Sequence, residues 1–115
     1  MEIPYFQAAR FPTEREAGKV YFPIQQIIFA AKDACDLSAY RFRITEGWHV
    51  VVLGEQPPAN LHQRIEALLT QGTLVNLQST RPDVLTWLQK RRGQATKIAP
   101  WVEGHYDHPG KEQTP

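Results

Sequence analysis

The chain has a single cysteine, Cys35, and it has no long hydrophobic run. One cysteine excludes an internal disulfide and a cysteine cluster that holds zinc, which agrees with a reducing compartment. No stretch reaches the roughly 18 uninterrupted apolar residues that identify a membrane helix. Residues 1–10 also lack the basic start and apolar stretch of a signal peptide. We therefore expect a cytoplasmic protein without a membrane span.

Short motifs that identify enzymes are missing as well. The sequence contains no G-x-S-x-G nucleophile elbow, no phosphate-binding P-loop, no G-x-G-x-x-G and no H-E-x-x-H. The patterns around His49 and Cys35 favour core positions over a catalytic base or nucleophile. We expect no catalytic residue, no cofactor and no metal site. Enzymatic activity stays open, but a non-enzymatic role is favoured.

Length and charge bound the domain organisation. With 115 residues, 42% of them hydrophobic and 22% charged, the chain is long enough for one core and too short for two. We expect one compact domain over residues 1–97, followed by an arm and loose tail over residues 98–115. The net charge is +1, but residues 81–97 carry five basic side chains and one acidic. Positive charge is therefore local, unlike the broad basic face of dedicated nucleic-acid domains.

Apolar periodicity and turn residues predict seven elements. In chain order they are a strand over 3–11, a helix from Thr13 to about residue 35 with a kink or break near Pro23, a hairpin over 40–54, a helix over 57–72 with Asn60 as a candidate N-cap, a strand over 73–78 and a helix over 79–93 that ends before Gly93. The order β-α-β-β-α-β-α predicts an α+β, ferredoxin-like (βαββαβ) two-layer sandwich with an added C-terminal helix and an extended arm. An alternative is an α+β domain with the hairpin at one edge and the helices bundled together.

The hairpin is the most informative segment. With Glu46 and Gly47 as the loop, alternation divides its side chains between two faces of the sheet. The first face carries Tyr40, Phe42, Ile44, His49, Val51 and Leu53, and we expect it to be the core face. The second face carries Arg41, Arg43, Thr45, Trp48, Val50 and Val52. This mixed face is too apolar for open solvent and too charged for a sealed core. We expect it to be covered by the third helix and the arm, by another copy of the chain, or by a ligand.

A second candidate surface lies on the first helix. Phe22 and Phe29 are seven residues apart and roughly opposite the apolar stripe of that helix. Either the helix kink or the arm brings them inside, or they mark a partner-binding stripe.

The densest positive charge lies at the end of the third helix. A nucleic-acid surface there would use Arg81, Lys90, Arg91, Arg92, Lys97 and Trp101. Cations in a last helical turn also offset the negative end of the helix dipole, and Trp87 falls on the apolar arc. The run is therefore explained in part as a helix end.

Three functions follow as alternatives. We expect most strongly a non-enzymatic interaction or assembly module that forms a homo-oligomer through Arg41, Arg43, Trp48 and Val50 or through Phe22 and Phe29. The alternatives are the nucleic-acid surface and a small-molecule domain in which Arg41, Arg43, Trp48 and His49 hold an anion.

Overall fold

The computed structural model describes residues 4–95, with side chains as far as Arg92. The four strands are β1 (Tyr5–Phe11), β2 (Leu37–Ile44), β3 (Gly47–Gly54) and β4 (Thr73–Val75). The four helices are α1 (Glu14–Ala30), α2 (Ala59–Leu69), α3 (Leu77–Thr80) and α4 (Pro82–Ala95). The fold is α+β, built on one four-stranded antiparallel sheet. Lys97, Trp101 and the expected arm over residues 98–115 lie outside the described residues.

The strand order in the sheet is β2-β3-β1-β4, so β2 and β4 are the edges. The first strand pairs along its whole length with β3, from Tyr5 opposite Gly54 to Phe11 opposite Trp48. Its other side meets β4 only over Ala8–Arg10. Strand β3 therefore lies between β1 and β2, and β1 lies between β3 and β4.

The hairpin between β2 and β3 has a different register from the predicted one. Ile44 pairs with Gly47, so the loop residues are Thr45 and Glu46. Gly47 takes a φ of 123°, a conformation that side chains disfavour, which explains why glycine follows the loop. Relative to the prediction, the β3 partner of each β2 residue is shifted by two positions. Because side chains alternate with a period of two, every strand residue still points to its predicted face.

Helix α1 begins as the sequence predicts. The Thr13 hydroxyl accepts a hydrogen bond from the backbone N–H of Glu16 at 3.1 Å, as an N-cap does. The helix runs through Pro23 as a single element and ends at Ala30, earlier than the predicted residue 35. The apolar spacing that continues to Cys35 belongs to a turn, since Cys35 N–H still bonds to the carbonyl of Ala31.

Three later boundaries also differ from prediction. Pro58, and not Asn60, is the N-cap residue of α2. Strand β4 stops at Val75, because the Asn76 side chain accepts the N–H of Ser79 and starts the short helix α3. Helix α4 then passes through Gly93 to Ala95, so this glycine does not end it.

Both faces of the sheet are buried by helices of the chain itself. One face packs under α1 and α2, with a core that includes Ala9, Ala39, Val50 and Val52. The other face carries Tyr40, Phe42, Ile44, Val51 and Leu53, and it packs against Leu77 of α3 and Val84 and Leu88 of α4. The mixed face is thus covered by α1 and α2. The predicted third helix, which corresponds to α4, lies on the opposite face, so the expectation that it covers the mixed face was wrong. No helix in the described range 4–95 is long and apolar enough to cross a membrane.

Candidate functional site

The structure separates the four hairpin residues predicted to form a surface. Val50 is completely buried under the helices, and Arg41 is only 8% exposed. Trp48 is half-buried against the same core, and its strand partner Arg43 is exposed. The mixed face is therefore an interior layer with a polar margin, because α1 and α2 cover it. Val50 does not reach a surface.

The two phenylalanines of α1 do reach the surface. Phe22 is 46% exposed and Phe29 is 50% exposed, so no element within the described residues 4–95 brings them inside. The arm over residues 98–115, which was the other expected cover, lies outside that range. Among the described residues, the other large hydrophobic side chain with comparable exposure is Leu74, at 46% on the edge strand β4. Phe22 and Phe29 lie seven residues apart on one helix, so they share one stripe of its surface.

Arg41 reaches from β2 to the surface of α1 beside Phe22. Its guanidinium carbon lies 5.6 Å from the ring centre of Tyr21 and 5.2 Å from that of Phe22. A Cβ on Gly18 would lie 2.9 Å from Arg41 Nη1, so this glycine leaves the space that the guanidinium fills. Arg41 Nη2 lies 3.9 Å from Glu14 Oε2, a long ion pair at the start of the helix. Strand, glycine and aromatic rings together fix the position of this cation.

An open groove of about 600 Å³ lies above this guanidinium. It is lined by Glu14, Arg15, Gly18, Lys19, Phe22, Pro23 and Arg41. Three of these side chains are cationic and one is anionic, which gives the groove a formal charge of +2. Phe22 forms an apolar wall beside the charges. We call this feature the Arg41 groove, and its chemistry suits a carboxylate attached to an apolar group.

The part of the groove that α1 supplies was not predicted from the sequence. Arg15 lies one heptad before Phe22, which places it on the same stripe of the helix. Gly18 was a further signal, because glycine inside a helix costs about 1 kcal/mol relative to alanine and needs a structural reason. The reason is the guanidinium of Arg41, which comes from a different element.

The basic residues near α4 are mostly engaged within the chain. Arg81 Nη1 donates to Glu46 Oε1 at 2.6 Å, and its Nη2 donates to Asp83 Oδ2 at 3.0 Å. Arg81 thereby holds the pKa of Asp83 below its ordinary value. Arg92 Nη2 contacts the Asp36 carboxylate at 2.9 Å and its carbonyl at 3.0 Å. These contacts tie α4 to the sheet and neutralise charges that the nucleic-acid alternative needs.

Arg91 and Lys90 are the other two described cations of the nucleic-acid alternative, and their surroundings differ. The Arg91 guanidinium carbon lies 5.8 Å from the ring centre of Trp87, and the Trp87 ring in turn meets Phe42 edge-on. Lys90 is exposed. Trp87 is thus a packing residue, as its place on the apolar arc predicts.

His49 occupies the core position that the sequence indicates. It is 1% exposed, and its ring stacks on Phe42 with 5.8 Å between ring centres. His49 Nδ1 lies 2.9 Å from the Gly47 carbonyl, an acceptor, so Nδ1 carries the proton. Burial lowers the pKa of His49, and the bond to the Gly47 carbonyl opposes this shift. A neutral imidazole buried on the far face from the Arg41 groove cannot help to hold an anion there.

A second histidine forms a polar contact that spacing alone does not reveal. The Tyr5 hydroxyl lies 2.7 Å from His62 Nδ1, and His62 Nε2 lies 3.5 Å from Glu66 Oε1. Burial raises the pKa of Tyr5 to about 12, with smaller contributions from Glu66 and Cys35. A phenol that holds its proton this tightly is a poor acid, so we assign the contact a structural role. It joins Tyr5 of β1 to His62 of α2. In the described part of the chain, no group of three or more His, Cys, Asp or Glu side chains is placed to hold a metal ion.

Comparisons with known proteins provide no relative. No protein-family model matches the chain, and neither a curated protein nor a solved structure matches it. Its function must be inferred from the geometry of its own residues.

Proposed function

We propose that this protein is a non-enzymatic interaction module that self-associates through the outer surface of α1. The observation that supports this most directly is the pair of half-exposed phenylalanines, Phe22 and Phe29, on one stripe of a helix whose opposite side is buried. Exposed apolar stripes on otherwise well-packed domains are commonly interfaces.

The energy scale is sufficient for association. Burying the exposed half of one phenylalanine contributes on the order of 1 kcal/mol. A two-fold dimer uses the same patch on both copies, so four rings are buried together. Aromatic side chains of this kind are typical of the few residues that supply most of the binding energy.

The nucleic-acid alternative has less support, because Arg81 and Arg92 form ion pairs with Glu46, Asp83 and Asp36. The anion alternative is restricted to the Arg41 groove. We further infer a ferredoxin-like arrangement, which is supported by the antiparallel order β4-β1-β3-β2 with α1 and α2 on one face. A cytoplasmic location suits Cys35, a buried free thiol.

Sedimentation equilibrium over about 1 µM to 1 mM protein tests self-association. We expect the wild-type chain to form dimers and Phe29→Ser to raise the dissociation constant at least tenfold, the effect of losing about 1.4 kcal/mol. Leu74→Ser is the matched control, because Leu74 is similarly exposed on β4, and we expect it to leave the constant unchanged. A wild-type protein that stays monomeric at 1 mM, or equal effects of the two substitutions, would overturn the proposal.

A further inference from the structure

The outer stripe of α1 has two ends of different character. The first end is the Arg41 groove, with Arg15 and Lys19 at its rim and Phe22 as its wall. The second end has Phe29 and, in the turn after the helix, Asp33, whose side chain is 98% exposed. At 100° per residue, Arg15, Phe22 and Phe29 fall within about 20° of one line along the helix, and Asp33 follows in the turn after Ala30.

We propose that the partner on this surface is a second copy in antiparallel orientation, with each copy's Asp33 in the Arg41 groove of the other. This inference rests on the self-association proposed above. It adds a specific two-fold geometry, and the partner's Asp33 carboxylate is the occupant of the groove.

Symmetry supports this geometry. A two-fold axis near residue 24 brings Arg15 opposite the partner's Asp33 and Lys19 opposite the partner's Phe29. Because the interface is isologous, both contacts form twice. The groove has a formal charge of +2, so an incoming carboxylate is attracted, and the apolar wall of Phe22 lies close to the path of the partner's chain.

The residues near the axis are compatible with self-contact. At a two-fold axis a residue meets its own copy, so a charged residue there would face a like charge. Gln25 and Gln26 occupy this part of α1, and both are uncharged. Helix α1 has 17 residues and is about 25 Å long, so the two helices would overlap along nearly their whole length.

The existing partner of Asp33 does not prevent the contact. Lys32 Nζ lies 3.7 Å from Asp33 Oδ1 on a surface where both side chains are exposed. An exposed pair of this kind contributes at most about 1 kcal/mol, which the cations of the groove can replace. Lys32 also lies over its own Phe29 ring at 5.4 Å, and since its side chain is 47% exposed it can turn into solvent when the partner's Lys19 approaches this ring.

Charge reversal tests the pairing. Arg15→Glu and Asp33→Arg should each raise the dimer dissociation constant at least tenfold, because each places like charges opposite one another twice per dimer. The double variant Arg15→Glu/Asp33→Arg should have a lower dissociation constant than either single variant, since the pair is restored with its signs exchanged; Lys19 and Arg41 remain in the groove and keep the recovery partial. This rescue identifies a direct contact, which general electrostatic effects would not produce.

Two controls keep the result interpretable. Arg64→Glu makes the same change of charge on an exposed position of α2, and we expect it to change the constant less than twofold. Circular dichroism and the melting temperature of each variant report whether the fold is intact. Inorganic phosphate at 10 mM serves as the probe for a free anion, and NMR shifts of the Gly18 amide show whether it enters the groove.

The outcomes separate this inference from the proposed function. A dimer that Phe29→Ser weakens but charge reversal does not change would overturn the antiparallel pairing and leave self-association intact. Single variants that weaken the dimer without rescue in the double variant would also overturn the pairing. A monomer at every concentration would overturn both proposals, and phosphate binding to that monomer would assign the groove to small anions.

Discussion

The two faces of the central sheet are buried by different means. Beneath α1 and α2 the sheet presents the buried rings of Tyr5 and Phe11 beside small side chains such as Ala9 and Ala39, and it also presents one long cation, Arg41. Beneath α3 and α4 it presents Tyr40 and Phe42, whose rings are completely buried. Both faces therefore use aromatic rings in their cores. They differ in charge, because Arg41 lies on the face under α1 and α2, whereas the face under α3 and α4 buries the imidazole of His49 against Phe42.

The largest expected effect comes from truncating the two cores. Ile24→Ala under α1 and Leu88→Ala under α4 should each lower the free energy of unfolding by about 2–5 kcal/mol, because each leaves a cavity in a packed layer. Urea unfolding monitored by circular dichroism measures both, and Leu74→Ala should change stability by no more than about 0.5 kcal/mol. A cost below about 1 kcal/mol for Leu88→Ala would show that α4 contributes little to the folded domain.

A smaller effect on folding stability is expected at alkaline pH, and it comes from the face under α1 and α2. The pKa of Tyr5, on the α1 and α2 face, is raised from 10.0 to about 12 mainly by burial. The unfolded chain loses this proton first, so the stability is complete below pH 10 and declines as the pH rises to 12. The loss should reach about 2 kcal/mol at pH 12.

Tyr5→Phe isolates that contribution. The variant loses the hydrogen bond to His62 near neutral pH, at a cost of about 1 kcal/mol, but its stability should fall less between pH 10 and 12 than that of the wild type. Urea unfolding at pH 8, 10 and 11 measures the difference. The same alkaline slope in both proteins would contradict the assignment. Tyr21 and Tyr40 also have raised pKa values through burial, so a part of the slope should persist.

The smallest effect on folding stability is expected at acid pH, and it comes from His49 on the face under α4. Burial lowers the pKa of His49 from 6.5, so the unfolded chain binds this proton more readily than the folded one. Stability from this residue is therefore complete above pH 6.5 and is lost as the pH falls through the folded-state pKa. Between pH 7 and 5.5, unfolding experiments should show a modest loss in the wild type and a smaller one in His49→Gln. A wild type that gains stability over this range would reverse the sign and contradict the neutral imidazole.

Much of the fold was predictable from local patterns, and the candidate site was predictable only in part. Thr13 as a cap, the hairpin and its division into two faces all depend on residues close in sequence, and the structure has them. The exposure of Phe22 and Phe29 was one of two alternatives left open by helical spacing. The Arg41 groove joins β2 to α1, and nothing in either segment alone shows that Gly18 leaves room for a guanidinium 23 positions later in the chain.

The sequence by itself determined which side chains share a face, because the periods of strands and helices depend only on backbone geometry. Tertiary structure decided which helices cover which face. Arg41, Trp48 and Val50 formed a mixed face in the sequence, and α1 and α2 turned it into an interior layer. The outer stripe of α1, with Phe22 and Phe29, is exposed because the opposite side of the same helix is buried against the sheet.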